Sequence, residues 1–240
     1  GVTRRVGGMR WGEGMNSFPE LDLDEQVLRT ALSISRSDIF GEMDTQLPIS
    51  EVRDANVSQI GFVGAHYRQG GDLLLGINPG GGGDTYRRTA EDGRRFGLIT
   101  SFGKGAVDGP SARQVCEATM EGMRTWRLWK IVSAVLDACG AKQDEVAYLN
   151  WCPFRTRKDK MPAAKAMRNA GKFYFRPAVR ILKPRRIIAL GKKVSSWPAR
   201  LGLGDIEFHV IRRTIGDSYF HEDAVLALER LRHSTQEARK

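Results

Sequence analysis

Two asparagines that follow short apolar runs are the first candidates for chemistry. Asn78 comes after residues 73–77 and Asn150 after residues 146–149, and a proline follows each asparagine within three positions. A carboxamide offers a hydrogen-bond donor and an acceptor, so it can hold the polar edge of a ligand or orient a water molecule. It cannot accept a proton as a base does. The pattern therefore predicts a binding site, or a slow hydrolytic site, at the ends of two strands.

The first asparagine lies at the start of a glycine loop. Its neighbours are Gly76, Ile77, Pro79 and Gly80, and glycine occupies all of positions 80–83. Pro79 cannot donate to a sheet ladder, so the strand should end there. Glycines let the backbone approach a ligand closely or take positive φ. No Gly-Lys-Ser/Thr follows, and no helix opens at once, so this is neither a phosphate loop nor a dinucleotide motif. The run predicts a ligand-binding loop or, alternatively, a plain flexible connection.

The apolar runs alternate with helical patterns. Strand-like segments near residues 73, 146, 186 and 207 predict a three-layer α/β/α sandwich with a central four-stranded parallel sheet. We expect one domain over residues 1–240, with a loose N-terminal segment at 1–20. The carboxyl ends of parallel strands share one edge of a sheet, and ligands bind at that edge. Asn78, Asn150 and the segment after Ile211 should therefore converge.

The segment at 85–110 is long, polar and interrupted by glycines, which predicts a loop without regular structure. Loops of that length in compact domains are usually functional or disordered. Phe96 and Phe102 could stack on a planar ligand or could pack in the core. Asp84 precedes this segment and could act as a general base or could cap a turn.

Charge is concentrated in one part of the chain. The 240 residues are 41% hydrophobic and 28% charged, as in an ordinary globular protein, and carry a net charge of +10. Residues 151–200 hold 15 Lys or Arg and one acid, Asp159, for a local charge of +14. Such an uneven distribution of charge predicts a polyanionic partner such as a nucleic acid, although a solvated helix face is the alternative. The candidate contacts are Arg155, Arg157, Lys158, Lys160, Lys192, Lys193, Arg212 and Arg213.

Other side chains narrow the function classes. Three cysteines, at 116, 139 and 152, are widely spaced and odd in number, which favours free thiols in a reducing cytoplasm. No apolar run reaches membrane-spanning length, so no membrane partner is expected. The histidines at 66, 209 and 221 lack metal-ligand spacing, so neither a metal nor a cofactor is expected.

Four segments, in order, resemble the uracil-DNA glycosylase superfamily. Residues 76–80, Gly-Ile-Asn-Pro-Gly, resemble the first active-site motif of its mismatch-specific and single-strand-selective branches. Residues 125–131 resemble the following helix segment of the mismatch-specific branch. Residues 149–153 resemble the strand end that carries the base-reading asparagine in the single-strand-selective branch. Residues 182–191 resemble a segment shared by several branches. The resemblance covers about residues 70–231.

The resemblance implies a hydrolase that excises uracil, or a related deaminated base, from DNA in base excision repair. Asn78 would then place a water molecule and Asn150 would read the base, with Gly76, Ile77, Pro79 and Gly80 lining the site. In the family, a His-Pro-Ser or Asn-Pro-Ser loop follows the fourth strand. Here residues 212–218 read Arg-Arg-Thr-Ile-Gly-Asp-Ser instead, so its arginines could contact phosphates or neutralise a leaving oxygen.

That departure leaves two main function classes open. The first is a DNA glycosylase, which the two asparagines favour. The second is a non-catalytic nucleic-acid- or base-binding protein of the same fold, which the altered loop favours. A hydrolase of small nucleosides is a third class, but such a substrate gives no reason for the basic stretch.

Overall fold

The computed structural model describes residues 21–48, 55–80 and 89–240. Asp84 and the N-terminal segment at 1–20 lie outside these ranges. Within them the protein is α/β, with a five-stranded, mostly parallel sheet in the order β1-β3-β2-β4-β5. The strands are β1 Phe62–Val63, β2 Asp72–Gly76, β3 Ala147–Asn150, β4 Arg186–Leu190 and β5 Glu207–Ile211.

Four strands were expected, and each of them forms at the expected position. The sheet also contains β1, which pairs antiparallel with β3 at the edge, whereas the other pairings are parallel. With only two residues, β1 is too short to produce a recognisable periodicity.

Helices cover much of the remaining described chain. Their bounds are α1 Leu23–Leu32, α2 Arg36–Phe40, α3 Ala90–Lys104, α4 Ala112–Met123, α5 Trp129–Cys139, α6 Ala164–Ala170, α7 Arg176–Leu182 and α8 Glu222–Glu237. A π-helical turn at Gly171–Phe175 joins α6 to α7, so the helical backbone is continuous over residues 164–182. Helix α5 ends at Cys139, and Gly140 caps it with a left-handed φ of 58°.

The parallel strands β2, β3 and β4 are buried on both faces, whereas the edge strand β5 is partly exposed. Leu73, Leu74 and Leu75 of β2 have no exposed surface. Such strands read as continuous apolar runs, which explains why the sequence predicts them well. The register places Gly76, the last residue of β2, opposite Asn150, the last residue of β3.

A buried ion pair fixes the strand register at the amino ends of the strands. Arg186 begins β4 beside Asp72 of β2, and two hydrogen bonds of 2.7 Å join the guanidinium to the carboxylate. Arg186 also donates to Thr235 of α8 at 2.8 Å. Bidentate pairs of this kind are strong and geometrically specific. Alignment of the amino ends also aligns the carboxyl ends, where the site residues lie.

The segment expected to be an irregular loop contains the 15-residue helix α3. Thr89 caps its start, because its hydroxyl accepts from the Asp92 backbone N–H at 3.1 Å. Three glycines lower the intrinsic helix propensity of this segment and obscure its pattern. The side chains of Phe96, Ile99 and Phe102 recur at three-residue spacing and are buried, so tertiary packing overrides the weak propensity.

Candidate functional site

A pocket of about 850 Å³ opens at the carboxyl edge of the sheet. The chain passes from β2 to β3 on one side of β2 and later places β4 on the other side. Ligands bind at such switch points in open α/β sheets. The pocket-lining residues that could contact a ligand, or hold a group that does, are Gln59, Gly76, Ile77, Asn78, Pro79, Gly80, Asp92, Arg95, Trp126, Tyr148, Asn150, Arg155 and Arg213.

The structure brings Asn150 and Asn78 together at this pocket, as expected from the strand ends. The Asn150 side chain is 5% exposed, and its Oδ1 lies 3.1 Å from the Tyr148 hydroxyl. A Cβ at Gly76 would lie 2.4 Å from that Oδ1, closer than real Cβ contacts come. Gly76 therefore leaves room for the Asn150 amide.

Asn78 is half-buried, and its Nδ2 donates to Thr156 Oγ1 at 3.1 Å. The Thr156 hydroxyl in turn donates to the Lys160 carbonyl. This chain of hydrogen bonds fixes the amide plane from its donor end. The Asn78 Oδ1 has no donor among the residues that the structure describes, so it can accept from a water molecule.

The aromatic contacts differ from the expectation. Phe96 is 1% exposed and Phe102 is 8% exposed, and neither lines the pocket. Of the two roles considered for them, stacking on a base is wrong and packing in the core is what the structure shows, because α3 turns both side chains into the interior. Trp126 and Tyr148 line the pocket instead, with ring centroids 6.5 Å apart and planes at 62°. Tyr148 could have been found from the sequence, since it shares a strand face with Asn150 two residues later.

A buried charged network forms one wall of the pocket. Arg95 Nη2 and Arg155 Nη2 each lie 2.8 Å from Asp92 Oδ1. Burial raises the pKa of the Asp92 carboxyl, and the charge of Arg95 opposes that rise. Because two guanidiniums hold its oxygen, Asp92 is not a mobile base. It serves to fix the two arginines in the wall.

Arg155 is consequently not a surface contact for nucleic acid. It is 4% exposed, so the prediction that it contacts DNA together with the other basic residues is wrong. The acceptor that draws it inside is Asp92, which lies 63 positions earlier in the chain. That pairing depends on the packing of α3 and has no local signal in the sequence.

The other basic candidates remain on the surface. Of the 15 Lys and Arg residues at 151–200, 12 are exposed, including Arg157, Lys158, Lys160, Lys192 and Lys193.

The two arginines after β5 have different surroundings. Arg213 lines the pocket and donates to Asp217 at 2.8 Å, a hydrogen bond that raises the pKa of its guanidinium. Arg212 pairs with Asp223 at 2.9 Å.

The histidines do not contribute to the pocket. His66 contacts Asp144 at 2.8 Å, and His209 lies beside Glu207 on β5. In the described ranges, no group of three His, Cys, Asp or Glu side chains is arranged to hold a metal ion. No helix within these ranges has the length and apolar content needed to cross a bilayer.

No protein-family model matches the chain, and no curated protein matches it significantly.

Proposed function

We propose that this protein is a DNA glycosylase that hydrolyses the N-glycosidic bond of uracil or a related deaminated base. The observation that carries the proposal is the convergence of Asn78 and Asn150 in one pocket beside Trp126 and Tyr148. A planar base needs both an aromatic surface and polar groups at its edge. We also propose the three-layer α/β/α arrangement expected from the sequence, with helices on both faces of the sheet.

In this proposal a base leaves the DNA stack and enters the pocket. Asn150 binds its polar edge, and Trp126 provides a face for stacking. Cleavage of the bond to C1′ passes through an oxocarbenium-like sugar, and the bonding electrons leave with the base. A water molecule held by Asn78 Oδ1 adds to C1′ and releases its proton to solvent. Arg213 lines the pocket and can stabilise the negative charge of the departing base.

The exposed basic residues support a DNA substrate. The turn that contains Arg157, Lys158 and Lys160 adjoins the pocket through the Asn78–Thr156 hydrogen bond. Cations at that position can hold phosphates on either side of an extruded nucleotide.

A non-catalytic base-binding protein of the same fold is the second candidate. The observation that favours it is the state of two buried carboxylates at the pocket. Asp92 and Asp217 are each held by arginine side chains, so neither is placed to activate water. The family's His-Pro-Ser or Asn-Pro-Ser loop is also replaced.

Incubation with an oligonucleotide that contains one uracil, followed by alkaline cleavage of abasic sites, tests the proposal. The parent protein should produce a cleaved product with single-stranded DNA. Asn56→Ala is the matched control, because Asn56 is exposed and does not line the pocket. It should cleave like the parent. Uracil-selective binding without any cleavage would instead establish the base-binding protein.

A further inference from the structure

Gln59 is a pocket residue for which the sequence gives no signal. Its side chain is 2% exposed, and it lines the same pocket as the two asparagines. Its backbone N–H donates to the Pro153 carbonyl at 2.7 Å, which ties it to the segment after β3. The residue therefore has a fixed position at the end of the chain segment leading into β1.

The orientation of the Gln59 amide follows from its partner. Arg95 Nη1 donates to Gln59 Oε1 at 3.0 Å. A guanidinium can only donate, so the oxygen of the amide must face Arg95 and the NH2 group must be at the other end. That Nε2 is buried and has no hydrogen-bond partner in the described part of the chain. Buried donors in native proteins nearly always have a partner, so this one needs an explanation.

Asn150 does not define a donor in the same way. Its partner is the Tyr148 hydroxyl, which can donate or accept. The Asn150 amide can therefore turn over without losing this hydrogen bond, whereas the Gln59 amide cannot. Gln59 is therefore a pocket-lining residue whose amide orientation is fixed and whose NH2 group is left without a partner among the described residues.

We propose that Gln59 is a specificity-determining residue whose Nε2 donates to an acceptor atom of the bound base. This rests on the proposed function, and it identifies the substrate class. Deamination replaces an amino group, which is a donor, with a carbonyl oxygen, which is an acceptor. A fixed NH2 group donates a hydrogen bond to a carbonyl oxygen, whereas it meets an amino group donor to donor, which is unfavourable. Gln59 therefore selects deaminated, oxo-bearing bases over the amino-bearing bases from which they arise.

Binding of two non-cleavable ligands tests this without requiring turnover. One single-stranded oligonucleotide carries pseudouridine, a C-nucleoside with two ring carbonyls. The other carries a difluorophenyl C-nucleoside of similar shape, whose fluorines are poor acceptors. The parent should prefer the pseudouridine oligonucleotide.

Gln59→Met should reduce that preference by about three- to tenfold, the scale of one neutral hydrogen bond. Gln59→Glu should reduce it further, because it presents lone pairs to the carbonyl.

Gln59→Glu also guards against a folding defect, since a carboxylate can still accept from Arg95. In the parent, the Gln59 side-chain NH2 resonance, assigned by its absence in Gln59→Glu, should shift when the pseudouridine oligonucleotide is added. An unchanged ligand preference in both variants, or an unshifted resonance in a saturated complex, overturns the role of Gln59. Absence of base-dependent binding by the parent contradicts the proposed function itself, which is a different result.

Discussion

The Asn150 side chain has room in the pocket because its neighbour across the sheet, Gly76, has no side chain. A Cβ at Gly76 would approach both the Asn150 Oδ1, at 2.4 Å, and the Tyr148 hydroxyl, at 2.9 Å. Gly76, Tyr148 and Asn150 thus form one packed unit. Tyr148 and Asn150 alternate along one strand, and Gly76 lies far from both in the sequence. Each of them can be tested by a single change.

Replacing the amide of Asn150 should change which base is bound. Asn150→Asp removes the amide donor and leaves only acceptors. We expect uracil-containing DNA to bind more weakly by about 1–3 kcal/mol, and cytosine, whose amino group donates, to bind better. Competition binding of matched uracil and cytosine oligonucleotides measures this, and an unchanged ratio would show that Asn150 does not read the base.

Gly76→Ala should displace the Asn150 amide while leaving the fold intact. We expect loss of selective base binding, measured with the same competition. Gly97→Ala is the matched control, because a Cβ there would meet nothing within 4 Å. In the interior of α3 that change should stabilise the protein by roughly 0.5–1 kcal/mol and leave base binding unaltered. Equal binding by Gly76→Ala and the parent would contradict the packing described for this unit.

Tyr148 should remain a neutral phenol across the working pH range. Burial raises its pKa to about 12 from the ordinary 10.0. Below pH 10 neither the folded nor the unfolded phenol is ionised, so its contribution to stability is constant. As the pH rises from 10 towards about 12, the unfolded chain loses the proton first and stability falls. Relative to Tyr148→Phe, the parent should then lose up to about 1.4 kcal/mol of unfolding free energy per pH unit. Chemical unfolding of both proteins measures the difference, and a constant gap would show that Tyr148 titrates normally.

At the scale of elements, α3 positions the charged wall. Thr89→Ala should lower the free energy of unfolding by about 1 kcal/mol, because it removes the cap of α3. It should also weaken base binding, since Asp92 and Arg95 lie in the first two turns of that helix. Ser111→Ala removes the equivalent cap of α4. It should cost similar stability without affecting base binding, and parallel binding losses in both variants would contradict a specific role for α3.

The elements also show which parts of the structure could be predicted from the sequence. The four parallel strands follow from apolar runs such as residues 73–75, and their shared edge brings Asn78 to Asn150. Helix α3 was missed because its glycines outweighed the capping signal of Thr89 and Asp92. The contact of Arg155 with Asp92 is a product of tertiary packing. Such non-local pairings leave no periodic trace, so the wall of the pocket and the position of Gln59 required the structure.

At the scale of the whole molecule, we expect the exposed basic residues to set the affinity for DNA and the pocket to set the choice of base. Exposed basic residues should give DNA binding that weakens with salt, with a slope of about −0.7 per phosphate neutralised on single strands. Replacing Arg157, Lys158 and Lys160 with alanine should flatten this slope by up to about 2. Replacing Lys104, Arg230 and Lys240, which are exposed outside the basic stretch, changes the net charge equally and should have a smaller effect. Equal effects of the two triple variants would indicate a nonspecific response to net charge.

Single-turnover cleavage of a uracil-containing strand by the parent and by Asn78→Ala tests whether this pocket hydrolyses a glycosidic bond. We expect the parent to cleave. Asn78→Ala should be slower by about a hundredfold or more, the scale for a group that acts in the transition state. Binding of the same strand should be nearly unchanged. Equal rates for the two proteins would contradict the water-placing role of Asn78, and absence of cleavage by the parent would contradict the glycosylase itself.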